Sequence, residues 1–278
     1  MVSGTLSRSA RFLLCLSLSV ILLCAGLMQA SAAMKPEKSA SGVENPASVL
    51  FIGNSFFYYN NSMHGHFNSL VSAANKDYKI RSTSATISGS GLSWHNVEAY
   101  FSPEGVGSYS FLPGNKVVFN PPDRKLFDLA VMLDCSQCPV HPTLRPVFFE
   151  YAKKHSDTVR KHGAEPVLFM SWAYTEKPDM IDGLADAYTQ AGNENNALVI
   201  PAGLAFAAAL KQRPDFKLIV ADGRHPTLAG TYLSACVSYA ALFKKSPVGL
   251  SYTAGLEQAD ATFLQTVAWD TVQAYYQK

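Results

Sequence analysis

Three short stretches, far apart in a chain of 278 residues, carry side chains that together could perform nucleophilic chemistry. The first is Gly53-Asn54-Ser55, directly after the apolar run Val49-Leu50-Phe51-Ile52. A glycine permits a tight turn at the end of a strand. A serine placed there can be an exposed nucleophile whose own backbone N–H helps bind an oxyanion. Alone, the same tripeptide reads as readily as a turn or a helix cap. The second stretch is Ser88-Gly89-Ser90-Gly91, whose small residues leave backbone N–H groups open to a ligand. It lacks the spacing of a dinucleotide or phosphate-loop fingerprint. The third is Asp222-Gly223-Arg224-His225-Pro226. Asp222 and His225 are three apart, so the carboxylate can reach the imidazole, fix its tautomer and leave the other ring nitrogen for a serine.

Other chemistry-bearing residues are weighed beside these. Cys135 and Cys138 form a C-x-x-C pair at the end of an apolar run. A redox site would need a thioredoxin-like context, and a zinc site would need two further ligands. A local disulfide stiffening the loop around Gln137 is therefore expected, with Cys236 as a core thiol. His64 and His66 would point apart on a helix, so no shared metal is expected. Asn54, His95 and Trp94 are the expected substrate contacts, His95 and Trp94 because they follow the glycine loop. Tyr58-Tyr59 could wall a sugar site, and Trp172 and Tyr174 are further rim candidates. Asn60-Asn61-Ser62 has the form of a glycosylation sequon.

These stretches need elements to position them. Apolar runs at Val49–Ile52, Phe127–Leu133, Val167–Met170 and Leu198–Ile200, with a polar-apolar stretch at Tyr78–Ile87, predict five strands. Between and after them, helical spacing predicts helices over Met63–Ala74, Pro146–His162, Met180–Ala191, a segment ending before Pro214, Leu228–Phe243 and Ala259–Tyr276. Strands alternating with helices imply a parallel sheet covered on both faces, with the ligand crevice at the carboxyl ends of the strands. Each reactive stretch follows a strand or precedes a helix.

Composition narrows the class. Hydrophobic residues make up 48% and charged residues 16%, which excludes a disordered or strongly basic nucleic-acid-binding chain. Arg8 and Arg11, the apolar run Phe12–Met28 and the small residues Ala30-Ser31-Ala32-Ala33 read as a cleaved secretory signal peptide over residues 1–33. Leu23 stands before Cys24 where a lipoprotein signal wants a small residue. Without the two leader arginines the 23 basic and 21 acidic residues balance, so neither nucleic acid nor stable membrane association is expected after cleavage. Residues 34–46 read as a flexible lead-in and 47–278 as one domain, secreted or periplasmic.

Taken as a set, Gly53-Asn54-Ser55, Gly89 and Asp222-x-x-His225 resemble blocks one, two and five of the SGNH (GDSL-type) hydrolase superfamily. The stretches Phe51–Asn60, Gly89–His95 and Asp222–Leu233 resemble a poorly characterised bacterial branch of it. The resemblance implies a three-layer α/β/α sandwich, SGNH-hydrolase or flavodoxin-like, with about five parallel strands. It implies Ser55 as nucleophile, His225 as general base and Asp222 as its orienting partner. The Ser55 and Gly89 amides would form part of an oxyanion hole. Block three departs from the pattern: where the superfamily has Gly-x-Asn-Asp, this chain has Asp134-Cys135-Ser136-Gln137. Gln137 is the expected substitute donor, since losing one such donor typically costs about 3–4 kcal/mol of transition-state stabilisation. The implied activity is cleavage of an ester of a small molecule or carbohydrate without metal or organic cofactor. The alternatives are an acyltransferase with the same triad and a non-catalytic carbohydrate- or polymer-binding protein on the same fold.

Overall fold

The computed structural model describes Met1, residues 34–121 and residues 123–277. The expected signal peptide lies outside these residues. Five parallel strands form the central sheet: β1 (Ser48–Gly53), β2 (Arg81–Thr86), β5 (Leu129–Met132), β6 (Glu165–Phe169) and β7 (Leu198–Ile200), in the order β2-β1-β5-β6-β7. The chain runs outward from β1 to β2, then returns to β1's other side at β5. At such a reversal the crossover helices diverge to opposite faces and leave a crevice beyond the strand ends. The Gly53-Asn54-Ser55 stretch therefore opens at the reversal itself.

The sheet splits the core by strict alternation. Val49 and Phe51 of β1 face α2 (Met63–Ala74), α6 (Ala202–Gln212), α7 (Leu228–Phe243) and α8 (Gln258–Tyr276). Leu50 and Ile52 face α4 (Arg145–Lys161) and α5 (Met180–Glu194). All four side chains are fully buried, which is why the strand reads as a continuous apolar run. β2, an edge strand, is only half-buried and correspondingly polar. Every residue of α7 from Ala229 to Leu242 is buried, so it is apolar around its whole circumference. No helix among the described residues is long and apolar enough to cross a membrane.

Three local features go beyond the sequence reading. A four-residue helix, α1 (Ser55–Tyr58), follows β1 at once. A second short helix, α3 (Val97–Tyr100), follows the glycine loop. An antiparallel hairpin of β3 (Tyr109–Leu112) and β4 (Lys116–Phe119) projects from the domain with all of its strand residues exposed. Its root is tied to the amino end of the sheet, where the Arg81 guanidinium donates to the Gly107 carbonyl. Residues 34–46 lie along the surface: Lys38 reaches Glu165 at 2.8 Å, and the Glu37 amide donates to the Asn193 side chain at 2.9 Å.

Phe51 anchors the layer beneath the site, packing edge-on against Phe57 and Phe67 with centroids 5.8 and 5.7 Å away. Phe51→Ala should lower the unfolding free energy by about 3–5 kcal/mol in urea denaturation. A loss below about 1 kcal/mol would contradict this packing role.

Candidate active site

Ser55 is delivered by the end of β1, and Asp222 and His225 by the loop that leads into α7. Gly53 closes β1 in a space that admits no side chain: a Cβ there would sit 2.9 Å from the Phe57 ring and 3.2 Å from Leu133 Cβ. Asn54 is extended (φ −139°, ψ −153°) and caps α1, its Oδ1 accepting from the Phe56 amide at 3.1 Å. Ser55 is thereby the first helical residue, and its amide has no hydrogen-bond partner among the described residues.

The far end of the chain meets it. Residues 219–226 double back as a tight loop, closed by the Ile219–Pro226 bridge and by Val220 N–H donating to the His225 carbonyl at 2.9 Å. His225 Nε2 lies 2.8 Å from Ser55 Oγ, and Nδ1 lies 2.6 Å from Asp222 Oδ2. Asp222 Oδ1 accepts from the Arg224 and His225 amides at 2.8 and 3.0 Å. Desolvation is the largest single influence on the Asp222 carboxyl and raises its pKa, but the hydrogen bonds from His225 and Arg224 and the charge of His225 together outweigh it and bring the carboxyl down to about 2. It is anionic at any ordinary pH. An ionised carboxylate on Nδ1 makes that nitrogen the N–H donor and leaves Nε2 unprotonated toward the serine, the tautomer a general base requires.

The loop is held from below. The Trp172 indole N–H donates to the Arg224 carbonyl at 2.9 Å, and its ring is stacked between Phe56 (4.4 Å) and Phe206 (4.2 Å). Trp172 and Tyr174 are both buried, so the structure moves these two rim candidates into the interior. Trp172 supports the loop that carries His225, and the Tyr174 hydroxyl pairs with Ser136 Oγ at 2.6 Å.

The glycine loop stands beside Ser55. Gly89 has φ +69°, which a glycine adopts without strain, and its amide also lacks a partner among the described residues. The loop is fixed by groups expected elsewhere. Asn54 and His95, expected at substrate, are instead 4% exposed and fully engaged. The Asn54 amide donates to the carbonyls of Ser90 and Asp134 at 2.9 and 3.2 Å. His95 Nε2 and Nδ1 pair with Ser90 Oγ and the Tyr100 hydroxyl, both at 3.0 Å. Burial, then the neighbouring His155, pushes the His95 pKa down to about 4, so this imidazole is neutral at physiological pH. Asn54 joins the ends of β2 and β5, and His95 ties the glycine loop to α3. Trp94, by contrast, is 64% exposed.

At the end of β5, Cys135 and Cys138 form a disulfide, and Cys236 is a buried free thiol. Gln137 is exposed at the start of the short turn after it, and its amide makes no hydrogen bond among the described residues. The residue that braces this strand end is Asp134, which accepts from the Leu92 amide at 2.7 Å and sits where any Cβ on Gly91 would be. Its signal in the sequence was a carboxylate ending a wholly apolar strand. His66, in α2, bonds Tyr252 and the Asn60 carbonyl. The Asn60 amide of the sequon is used internally, donating to the Pro226 carbonyl and to Thr231 Oγ1. Among the described residues no cluster of three metal-ligating side chains occurs.

No family model matches the sequence, and no curated protein is similar to it at the sequence level. Solved structures are similar in fold. An SGNH-hydrolase candidate from Slackia heliotrinireducens has a TM-score of 0.52 at 21% identity, with 71% of this chain and 99% of that one covered. A DUF4886 family protein from Bacteroides uniformis has a TM-score of 0.56 at 18% identity, covering 83% and 96%. The acetyl xylan esterase AlAXEase has a TM-score of 0.50 at 15% identity, covering 70% and 98%. The three-layer sandwich with its five-stranded parallel sheet is the fold of the SGNH hydrolases.

Asp134 supplies a test of the site's construction. Burial raises its pKa to about 6, against hydrogen bonds from the Leu92 and Cys135 amides that lower it. The folded protein therefore holds this proton more tightly than the unfolded chain. Stability should fall as pH rises from about 4 to about 6, by up to about 3 kcal/mol. Asp134→Asn should abolish that segment of the pH–stability curve in chemical denaturation, and an unaltered curve would refute the assignment.

Proposed function

We propose that the protein is an extracytoplasmic serine hydrolase that cleaves esters through an acyl-enzyme. The observation that carries this reading is the unbroken hydrogen-bonded chain Ser55–His225–Asp222 at the carboxyl end of β1. Ser55 Oγ attacks the ester carbonyl carbon while its proton passes to His225 Nε2, and Asp222 stabilises the resulting imidazolium. The negative charge gathers on the former carbonyl oxygen, where the unpartnered amides of Ser55 and Gly89 serve as donors, with Gln137 assigned as the side-chain donor. Collapse returns the proton from Nε2 to the departing alkoxide, releasing the alcohol. Water then attacks the acyl-enzyme with His225 again as base, releasing the acid and restoring the serine.

The substrate class assigned is an acyl ester, with O-acylated carbohydrate the first to test. The acetyl xylan esterase named above supports that choice through its shared fold. Exposed Trp94 is the assigned stacking residue for a sugar ring. Export is supported by the leader pattern in residues 1–33 and by a disulfide in a short loop, since disulfides persist in oxidising compartments.

A fluorophosphonate probe should label the protein, with the adduct mapping to the peptide containing Ser55. Ser55→Ala should lose labelling and reduce p-nitrophenyl acetate hydrolysis by at least about 10³-fold, with the thermal transition retained. A parent protein that resists labelling, or a variant that hydrolyses at the parental rate, would sink this reading.

A further inference from the structure

We infer that Tyr59 and Asn60 form a clamp that positions the His225 imidazole, a role no part of the triad supplies. The Tyr59 ring lies flat against the imidazole, with centroids 4.4 Å apart and planes 9° apart. Phe56 meets the same imidazole edge-on at 5.7 Å. Asp222 and Ser55 fix the two nitrogens, but two hydrogen bonds along one line leave the ring free to rock about that line. A flat aromatic face removes that freedom. It also opposes its π-electrons to the imidazolium formed when Ser55 gives up its proton.

The backbone next to the ring is clamped by the adjacent residue. Asn60 Nδ2 donates to the Pro226 carbonyl at 2.9 Å, one residue beyond His225, and to Thr231 Oγ1 at 2.8 Å in the first turn of α7. The carbonyl of Asn60 accepts from His66 Nε2 at 2.7 Å, so His66 takes the tautomer whose Nδ1 accepts from the Tyr252 hydroxyl. One loop thus grips the imidazole ring, the peptide after it and the helix that follows.

The conformation of this loop is the independent sign of a constrained role. Asn60, Asn61 and Ser62 are three consecutive non-glycine residues in the left-handed region, at φ +52°, +65° and +68°. Such residues are uncommon singly, and a run persists only where surrounding contacts over-determine it. The contacts of Asn60 are those determinants, and their geometric product is the placement of Tyr59 on His225.

The kinetic part of the test rests on the serine-hydrolase reading; the spectroscopic part does not. Tyr59→Leu should lower kcat by about threefold to tenfold while leaving KM within about twofold. Tyr59→Phe, which keeps the aromatic face, should retain most of the rate. Asn60→Gly adopts the left-handed turn freely but lacks the amide, and should reproduce the loss. In the parent, the Nδ1 proton of the Asp222–His225 hydrogen bond should give a resolved downfield NMR line that broadens in Tyr59→Leu and in Asn60→Gly. Cooperative melting of the variants separates this loss from misfolding, and Thr231→Val tests the same clamp if Tyr59→Leu does not fold. Unchanged kcat and an unchanged line in both variants would overturn the clamp. So would Tyr59→Phe proving as damaging as Tyr59→Leu. A parent that hydrolyses no ester, but whose downfield line still responds, would remove the hydrolase reading and leave the positioning role intact.

Discussion

The hydrogen bond from Ser55 to His225 joins two ends of the chain 170 residues apart, and the architecture between them exists to keep those two atoms 2.8 Å from each other. Neither partner is placed by its own neighbours alone. Ser55 is fixed because β1 is buried on both faces and because Gly53 lets the chain turn against Leu133 and Phe57. His225 is fixed because its loop is pinned by Asp222 within, Trp172 below and α7 behind. A hydrogen bond between neutral partners contributes only about 1 kcal/mol. It cannot organise these elements, so packing must bring them together first.

The same division shows in how polar groups are used around the site. Asn54, His95, Asp134 and Asn60 are all polar and buried or half-buried; Asn54, Asp134 and Asn60 hydrogen-bond to backbone, and His95 to the hydroxyls of Ser90 and Tyr100. They join the carboxyl ends of β1, β2 and β5 and the loop before α7, where no regular ladder can pair the chain. A buried polar group left unpaired is costly, so such a network tolerates few other arrangements. Among the described residues the amides of Ser55 and Gly89 take no part in this network.

Much of this architecture was legible in the sequence, because it follows from periodicity. Continuous apolar runs mark four strands of the central sheet, the mixed stretch Tyr78–Ile87 marks its polar edge strand, and the turn chemistry at Gly53 and Asp222-x-x-His225 marks where reactive groups emerge. Side-chain direction in loops was not legible. His95 and Trp94 are adjacent, yet one is 4% and the other 64% exposed, and the cause is Tyr100 and Ser90 reaching His95. Trp172 and Tyr174, which read as rim residues because they follow β6, lie inside. Tyr59 read as a possible sugar platform because an aromatic residue does not disclose its stacking partner, which here is 166 residues away in the chain. The β3–β4 hairpin was missed since its alternation is short and both of its faces are exposed.

Thr227, two residues after His225, caps α7 by accepting from the Gly230 amide, and the helix that follows is buried at every residue from Ala229 to Leu242. The imidazole is therefore mounted two residues before the cap of a helix packed into the core, and that packing opposes any loosening of its loop. Loops in many enzymes melt well below the temperature at which their scaffold does, and inactivation then precedes denaturation. Here the short tether to α7 brings the heat resistance of the site closer to that of the domain.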